Sequence, residues 1–109
     1  MRQLIDVALR SHGYTVVLAS NGPDAIEILR QQSIDVVLLD VQMPGMDGPQ
    51  TLTVLNELQI PVRCCFVTGN IGKYTSDELL RLGATGIVQK PFQLHELHEA
   101  IVHALRSNR

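Results

Sequence analysis

The chain has 109 residues, a formal net charge of −2 and 45% hydrophobic residues, the size and balance of one globular domain with a single core. Acids and bases are dispersed, which argues against a nucleic-acid-binding face, and no apolar run is long enough to span a bilayer. Residues 1–6 lack the apolar centre of a signal peptide, so a cytoplasmic setting is expected.

The first predicted element is a helix, because Leu4, Ile5, Ala8 and Leu9 recur at helical spacing and Gly13 can end it. Residues 14–19 are β-rich and short. Asn21 is an N-cap type, Pro23 and Asp24 suit a first turn, and Ala25, Ile26 and Leu29 give that helix an apolar stripe. Val36, Val37, Leu38 and Leu39 form an unbroken apolar run between Asp35 and Asp40, the pattern of a strand buried on both faces. A Gly/Pro-rich loop follows at residues 43–48. Leu52, Leu55 and Leu58 mark a helix that Ile60-Pro61 breaks. Residues 62–67 read as a strand ending at Thr68, Gly69 and Asn70. Thr75 with Glu78 is a capping box, and Tyr74 is placed to pack on Leu79 as its hydrophobic staple. Gly83 ends that helix. Gly86, Ile87, Val88 and Gln89 form a short strand, followed by Lys90, Pro91 and Phe92. Leu94, Leu97, Ile101, Ala104 and Leu105 line one face of a last helix, with His95, Glu99, His103 and Arg106 mostly outside.

The only cysteines, Cys64 and Cys65, are strand neighbours that point to opposite faces. They read as two small buried hydrophobes, with no disulfide framework and no zinc set. The order α-β-α-β-α-β-α-β-α predicts an α/β fold, a parallel sheet covered on both sides. In such sheets ligands sit outside the carboxyl ends of the strands.

Ser20, Asp40, Thr68 and Lys90 stand at those ends. An Asp carboxylate is a nucleophile toward phosphorus. A Lys ammonium can neutralise a phosphoryl oxygen, a Thr hydroxyl can donate to one, and Gly69 leaves room for the incoming group. Taken singly, Asp40 is a turn former, Thr68 a strand-end filler and Lys90 a solvated charge. Three such residues at three strand ends together have the parts needed to accept and hold a phosphoryl group.

Leu38-Leu39-Asp40-Val41-Gln42-Met43-Pro44-Gly45-Met46-Asp47-Gly48 resembles the phosphoacceptor strand and loop of response-regulator receiver domains in two-component signalling. Phe66-Val67-Thr68-Gly69 resembles their switch threonine and its small follower. The stretch from Gly83 to Phe92 resembles their signature lysine and proline, which implies a cis peptide before Pro91. Gly13-Tyr14 with Ala19-Ser20-Asn21-Gly22 is similar to their second strand. The resemblance covers the whole chain. It implies a flavodoxin-like (CheY-like) doubly wound parallel sheet of five strands in the order 2-1-3-4-5. It also implies Mg²⁺-dependent phosphoryl transfer from a histidine kinase or phosphotransfer protein onto Asp40. The metal would be held by the Asp40 carboxylate, the Gln42 backbone carbonyl and an acidic pair after the first strand. Thr68 and Lys90 would sense the phosphoryl group and couple it to the face of the family's fourth helix, fifth strand and fifth helix. That face would take a downstream protein target or a second copy. No nucleic acid or membrane is expected as a direct partner.

Two departures stand out. Ile87 occupies the place of the family's usual Tyr or Phe, so the relay to the output face is expected to differ. The sequence also opens inside the family's first helix, which implies an N-terminally truncated domain lacking the first strand and its acidic pair. Without that central strand, residues 14–19 are expected to pair directly with residues 36–39, the alternatives being a segment of a second chain in the slot or a partly unfolded chain, rather than an ordinary monomeric receiver. Two other function classes compete. One is a non-phosphorylated pseudo-receiver serving as an interaction scaffold, which the two departures favour and intact Asp40, Thr68 and Lys90 oppose. The other is a phosphatase of the haloacid dehalogenase type, which needs a second Asp two residues after the nucleophile, where this chain has Gln42. His95, His98 and Glu99 could chelate a metal but read better as a solvated helix face. His12 reads as a favourable cation near a helix end.

Overall fold

In the computed structural model, which describes residues 2–4, 15–19, 21–69 and 72–106, the helix starts follow from the side chains just before them. Asn21 Oδ1 accepts from the Asp24 N–H at 2.8 Å and opens α1 (Gly22–Gln31). Asp47 and Gln50 form a reciprocal capping box that opens α2 (Gly48–Glu57), and Thr75 and Glu78 form another that opens α3 (Ser76–Arg81). The last helix is α4 (Leu94–Arg106). Leu97, Ile101 and Ala104 are buried along it, while His95, Glu99, His103 and Arg106 are exposed, as the apolar stripe predicts. Leu58 is the exception to its own stripe: it caps α2 and lies exposed.

The strands are β1 (Arg2–Leu4), β2 (Val16–Ala19), β3 (Val36–Asp40), β4 (Arg63–Thr68) and β5 (Gly86–Gln89). They form one sheet in the order β1-β2-β3-β4-β5. β2 to β5 are parallel, and β1 runs antiparallel along the β2 edge, with Leu4 opposite Val17. The family's order 2-1-3-4-5 gives way to the re-pairing expected of residues 14–19 with 36–39: β2 pairs directly with β3 in the register Val16 to Val36 through Ala19 to Leu39. Both strands are apolar on both faces, and their start is clamped by Thr15: its N–H donates to Asp35 Oδ2 at 2.7 Å and its carbonyl accepts from the Asp35 N–H at 2.9 Å. Leu4 is not helical, because its backbone covers the β2 edge that would otherwise stand unpaired. The rest of the first predicted helix, with His12, lies outside the described residues.

The two faces of the sheet bury separate clusters. Val17, Ala19, Val37, Leu39, Cys64 and Phe66 pack with α1, α2 and α3. Val16, Leu38, Cys65 and Val67 pack with Leu97, Ile101 and Ala104 of α4. Cys64 and Cys65 thus sit in opposite layers, both fully buried and neither in a disulfide. Burial pushes the Cys65 thiol up to about 12. No helix among the described residues is long and apolar enough to cross a membrane.

Candidate functional site

Asp40, Thr68 and Lys90 fall at the carboxyl tips of three adjacent strands, with Thr68 in the middle. Asp40 pairs with Val67, and Thr68 with Gln89, so each residue stands one step further along than its neighbour. The Lys90 N–H closes the tip by donating to the Thr68 carbonyl at 2.8 Å, and the Lys90-Pro91 peptide is cis. Thr68 is buried, at 2% exposure. The side chains of Asp40 and Lys90 are 27% and 46% exposed and form an ion pair of 2.7 Å from Lys90 Nζ to Asp40 Oδ2. Asp40 Oδ1 accepts the Gln42 N–H at 3.2 Å, a local turn that orients the carboxylate.

The loop after Asp40 is held short. The Gly48 N–H donates to the Val41 carbonyl at 2.9 Å, and a Cβ at Gly48 would overlap the Asp40 carbonyl oxygen and stand 3.0 Å from the Phe66 ring. Only glycine lets the first turn of α2 approach the strand end this closely. A cavity of about 180 Å³ adjoins the ion pair, lined by Asp40 and Lys90 with Leu18, Leu38, Val67 and Phe92 among others.

Sequence reasoning took Asp47 as part of a loop motif and as a substitute Mg²⁺ ligand, and Tyr74 only as a staple. Tyr74 does pack on the cluster that holds Leu79. Its phenol also donates to Asp47 Oδ2 at 2.7 Å. Partial burial and the Asp47 carboxylate push that phenol up to about 12. The Asp47-x-x-Gln50 spacing is itself a capping-box signal and marks Asp47 as a structural carboxylate. Ser20 and Asn70 lie outside the described residues.

Mg²⁺ prefers near-octahedral oxygen coordination. Asp40 and the Gln42 carbonyl are the two donors the resemblance places here, and both Asp40 oxygens already accept hydrogen bonds. Among the described residues no group of three or more His, Cys, Asp or Glu side chains could hold a metal ion, His95, His98 and Glu99 included. The described residues do not by themselves fit a resident Mg²⁺.

Comparison with known proteins bears on the family and the fold. The profile of the response regulator receiver domain matches residues 1–102. The transcriptional regulatory protein ZraR of Escherichia coli K12 is 34% identical over 102 residues, covering 94% of this chain and 23% of ZraR. The sensor kinase CckA of Brucella abortus is 35% identical over 100 residues, covering 90% of this chain and 11% of CckA. The chain thus spans about a quarter or less of the curated relatives it matches. The signal receiver domain of NarL from Mycobacterium tuberculosis superposes with a TM-score of 0.72 at 28% identity, over 80% of this chain and 70% of that one. The chemotaxis protein CheY4 of Vibrio cholerae gives 0.72 at 27% identity, over 89% and 82%.

Proposed function

Because this chain belongs to the response regulator receiver family of two-component systems, we propose that Asp40 is its phosphoacceptor and that Thr68 and Lys90 hold the transferred group. The observation that carries this reading is the 2.7 Å pairing of Lys90 with Asp40 at the strand tips. A nucleophilic carboxylate and a cation able to offset phosphoryl charge already stand together. The donor is a histidine kinase or a phosphotransfer protein. An Asp40 carboxylate oxygen forms a bond to phosphorus as the bond from phosphorus to the donor histidine nitrogen breaks. The Lys90 ammonium then shifts from the carboxylate to a phosphoryl oxygen, and the Thr68 hydroxyl donates to another. The acyl phosphate is the signal, and α3, β5 and α4 form the face that a downstream protein or a second copy reads.

A non-phosphorylated scaffold would have no need for this pairing, so the phosphoacceptor reading is preferred. Incubation with a small-molecule phosphodonor and Mg²⁺, read by intact mass, tests it. The wild-type chain should gain one phosphoryl group that hydroxylamine removes, and Asp40→Asn should gain none. A labelled Asp40→Asn protein, or an unlabelled wild-type chain, would overturn the assignment.

A further inference from the structure

The loops that leave the tips of β3 and β4 are joined by the bond from the Tyr74 phenol to Asp47. Asp47 is engaged in two directions. Its Oδ1 accepts from the Gln50 N–H at 2.8 Å and so fixes the start of α2, while its Oδ2 accepts from Tyr74 at 2.7 Å. It stands at the end of the tight loop that begins at Asp40. Tyr74 immediately precedes Thr75, whose side chain accepts from the Glu78 N–H at 3.1 Å and starts α3. The same two loops touch a second time, where a Cβ at Gly72 would lie 2.5 Å from Gln42 Nε2. α3 itself is weakly anchored. It has six residues, of which Leu79 alone is buried. Just past its end, Asn56 Nδ2 donates to the Leu82 carbonyl at 2.9 Å. Its beginning is held through Tyr74.

We propose that Tyr74 is a positioning residue that couples the loop following Asp40 to the start of α3, so that a change at Asp40 reaches α3 through Asp47 and the phenol. What the coupling transmits rests on Asp40 as phosphoacceptor; the coupling itself does not. A phenol suits this role, because a rigid ring with two rotatable bonds transmits a displacement that a long flexible chain would absorb.

Hydrogen exchange of the α3 amides in four proteins provides the test: wild type, D40N, Y74F and D40N/Y74F. The informative amides are those of Leu79, Leu82 and Gly83, which bond to the Thr75, Glu78 and Leu80 carbonyls. With Tyr74 present, D40N should change their exchange rates by about threefold or more, and in the Y74F background that effect should fall below about half. A merely structural tyrosine would leave the two effects additive. Equal effects in both backgrounds, or no effect of D40N with Tyr74 present, would overturn the proposal. Y74F should still take up a phosphoryl group, and its loss there would recast Tyr74 as part of the acceptor site. A wild-type chain that takes up no phosphoryl group would sink the phosphoacceptor reading alone, since the exchange cycle needs no phosphorylation.

Discussion

Lys90 Nζ lies 2.7 Å from Asp40 Oδ2 although fifty residues separate them in the chain. Asp40 ends β3 and Lys90 directly follows β5, strands that are not neighbours, since β4 runs between them. Two strand spacings are roughly 10 Å, a gap that a four-carbon lysine arm and an aspartate can close together above the intervening strand. The pair therefore depends on three strands ending nearly level, as the registers provide.

Lys90→Ala should separate signalling from stability. An ion pair this exposed is worth at most about 1 kcal/mol. Chemical denaturation should give a nearly unchanged midpoint, while any phosphorylation-dependent change on the α3–β5–α4 face is lost. A variant that still switches normally would remove Lys90 from the proposed role.

Gly48→Ala should do the reverse. The new methyl group would meet the Asp40 backbone and the Phe66 ring, neither of which can rotate away. Overpacking of this kind costs about 1–3 kcal/mol. A lowered denaturation midpoint is expected, and an unchanged one would show that α2 can retreat freely from the strand end.

Mg²⁺ titration should show weak binding that depends on Asp40. Asp47→Asn should leave it unchanged, because both Asp47 oxygens are committed to Gln50 and Tyr74. An engineered N-terminal strand carrying two carboxylates should raise the affinity by at least about tenfold, toward the oxygen-rich coordination this ion prefers. If Asp47→Asn abolishes binding, Asp47 and not Asp40 is the ligand that matters.

Stability should decline in alkali because of Cys65. Its thiol ionises near 9.0 when free and at about 12 in the buried layer. Below 9 both states hold the proton. Above it the unfolded chain releases the proton first and binds fewer, so unfolding is favoured as pH rises through 9 to 12, by up to about 1.4 kcal/mol per pH unit for one group. The Tyr74 phenol, raised from 10.0 to about 12, acts in the same direction from a higher starting point. Unfolding curves between pH 9 and 11 should show a shallower decline for Cys65→Val than for wild type. Parallel declines would assign the effect to other groups.

The residues at the strand tips were legible because apolar runs and turn residues set where each strand stops. Asp40 follows four consecutive apolar residues, and Lys90 follows a run that ends at Gln89. Helix starts were equally plain at Asn21 and Thr75, where short polar side chains precede the first turn. Strand neighbours were harder. A run apolar on both faces, such as Val36 to Leu39, says that a strand is buried but not which strand lies beside it. Direct pairing of β2 with β3 followed only from the expected loss of an intervening strand. Leu4 was misread for a different reason: three residues on an edge strand answer to an unpaired backbone next to them, which helical spacing does not register. The Tyr74–Asp47 bond escaped because nothing in either local pattern names a partner 27 residues away.

Direct pairing of β2 with β3 leaves every described strand beside the one before it in the chain. None of the described strands has to wait for a distant segment to be inserted between two others. Such a sheet can assemble in the order in which a ribosome delivers it: β3 docks on β2, β4 on β3 and β5 on β4, each connecting helix closing over the same face as it forms. Contacts of short sequence separation favour fast folding. The other face has to wait, because its described cover is α4, which comes after all five described strands. A nascent chain halted before residue 94 would carry Val16, Leu38, Cys65 and Val67 without that cover, an exposed apolar layer of the kind that chaperones bind.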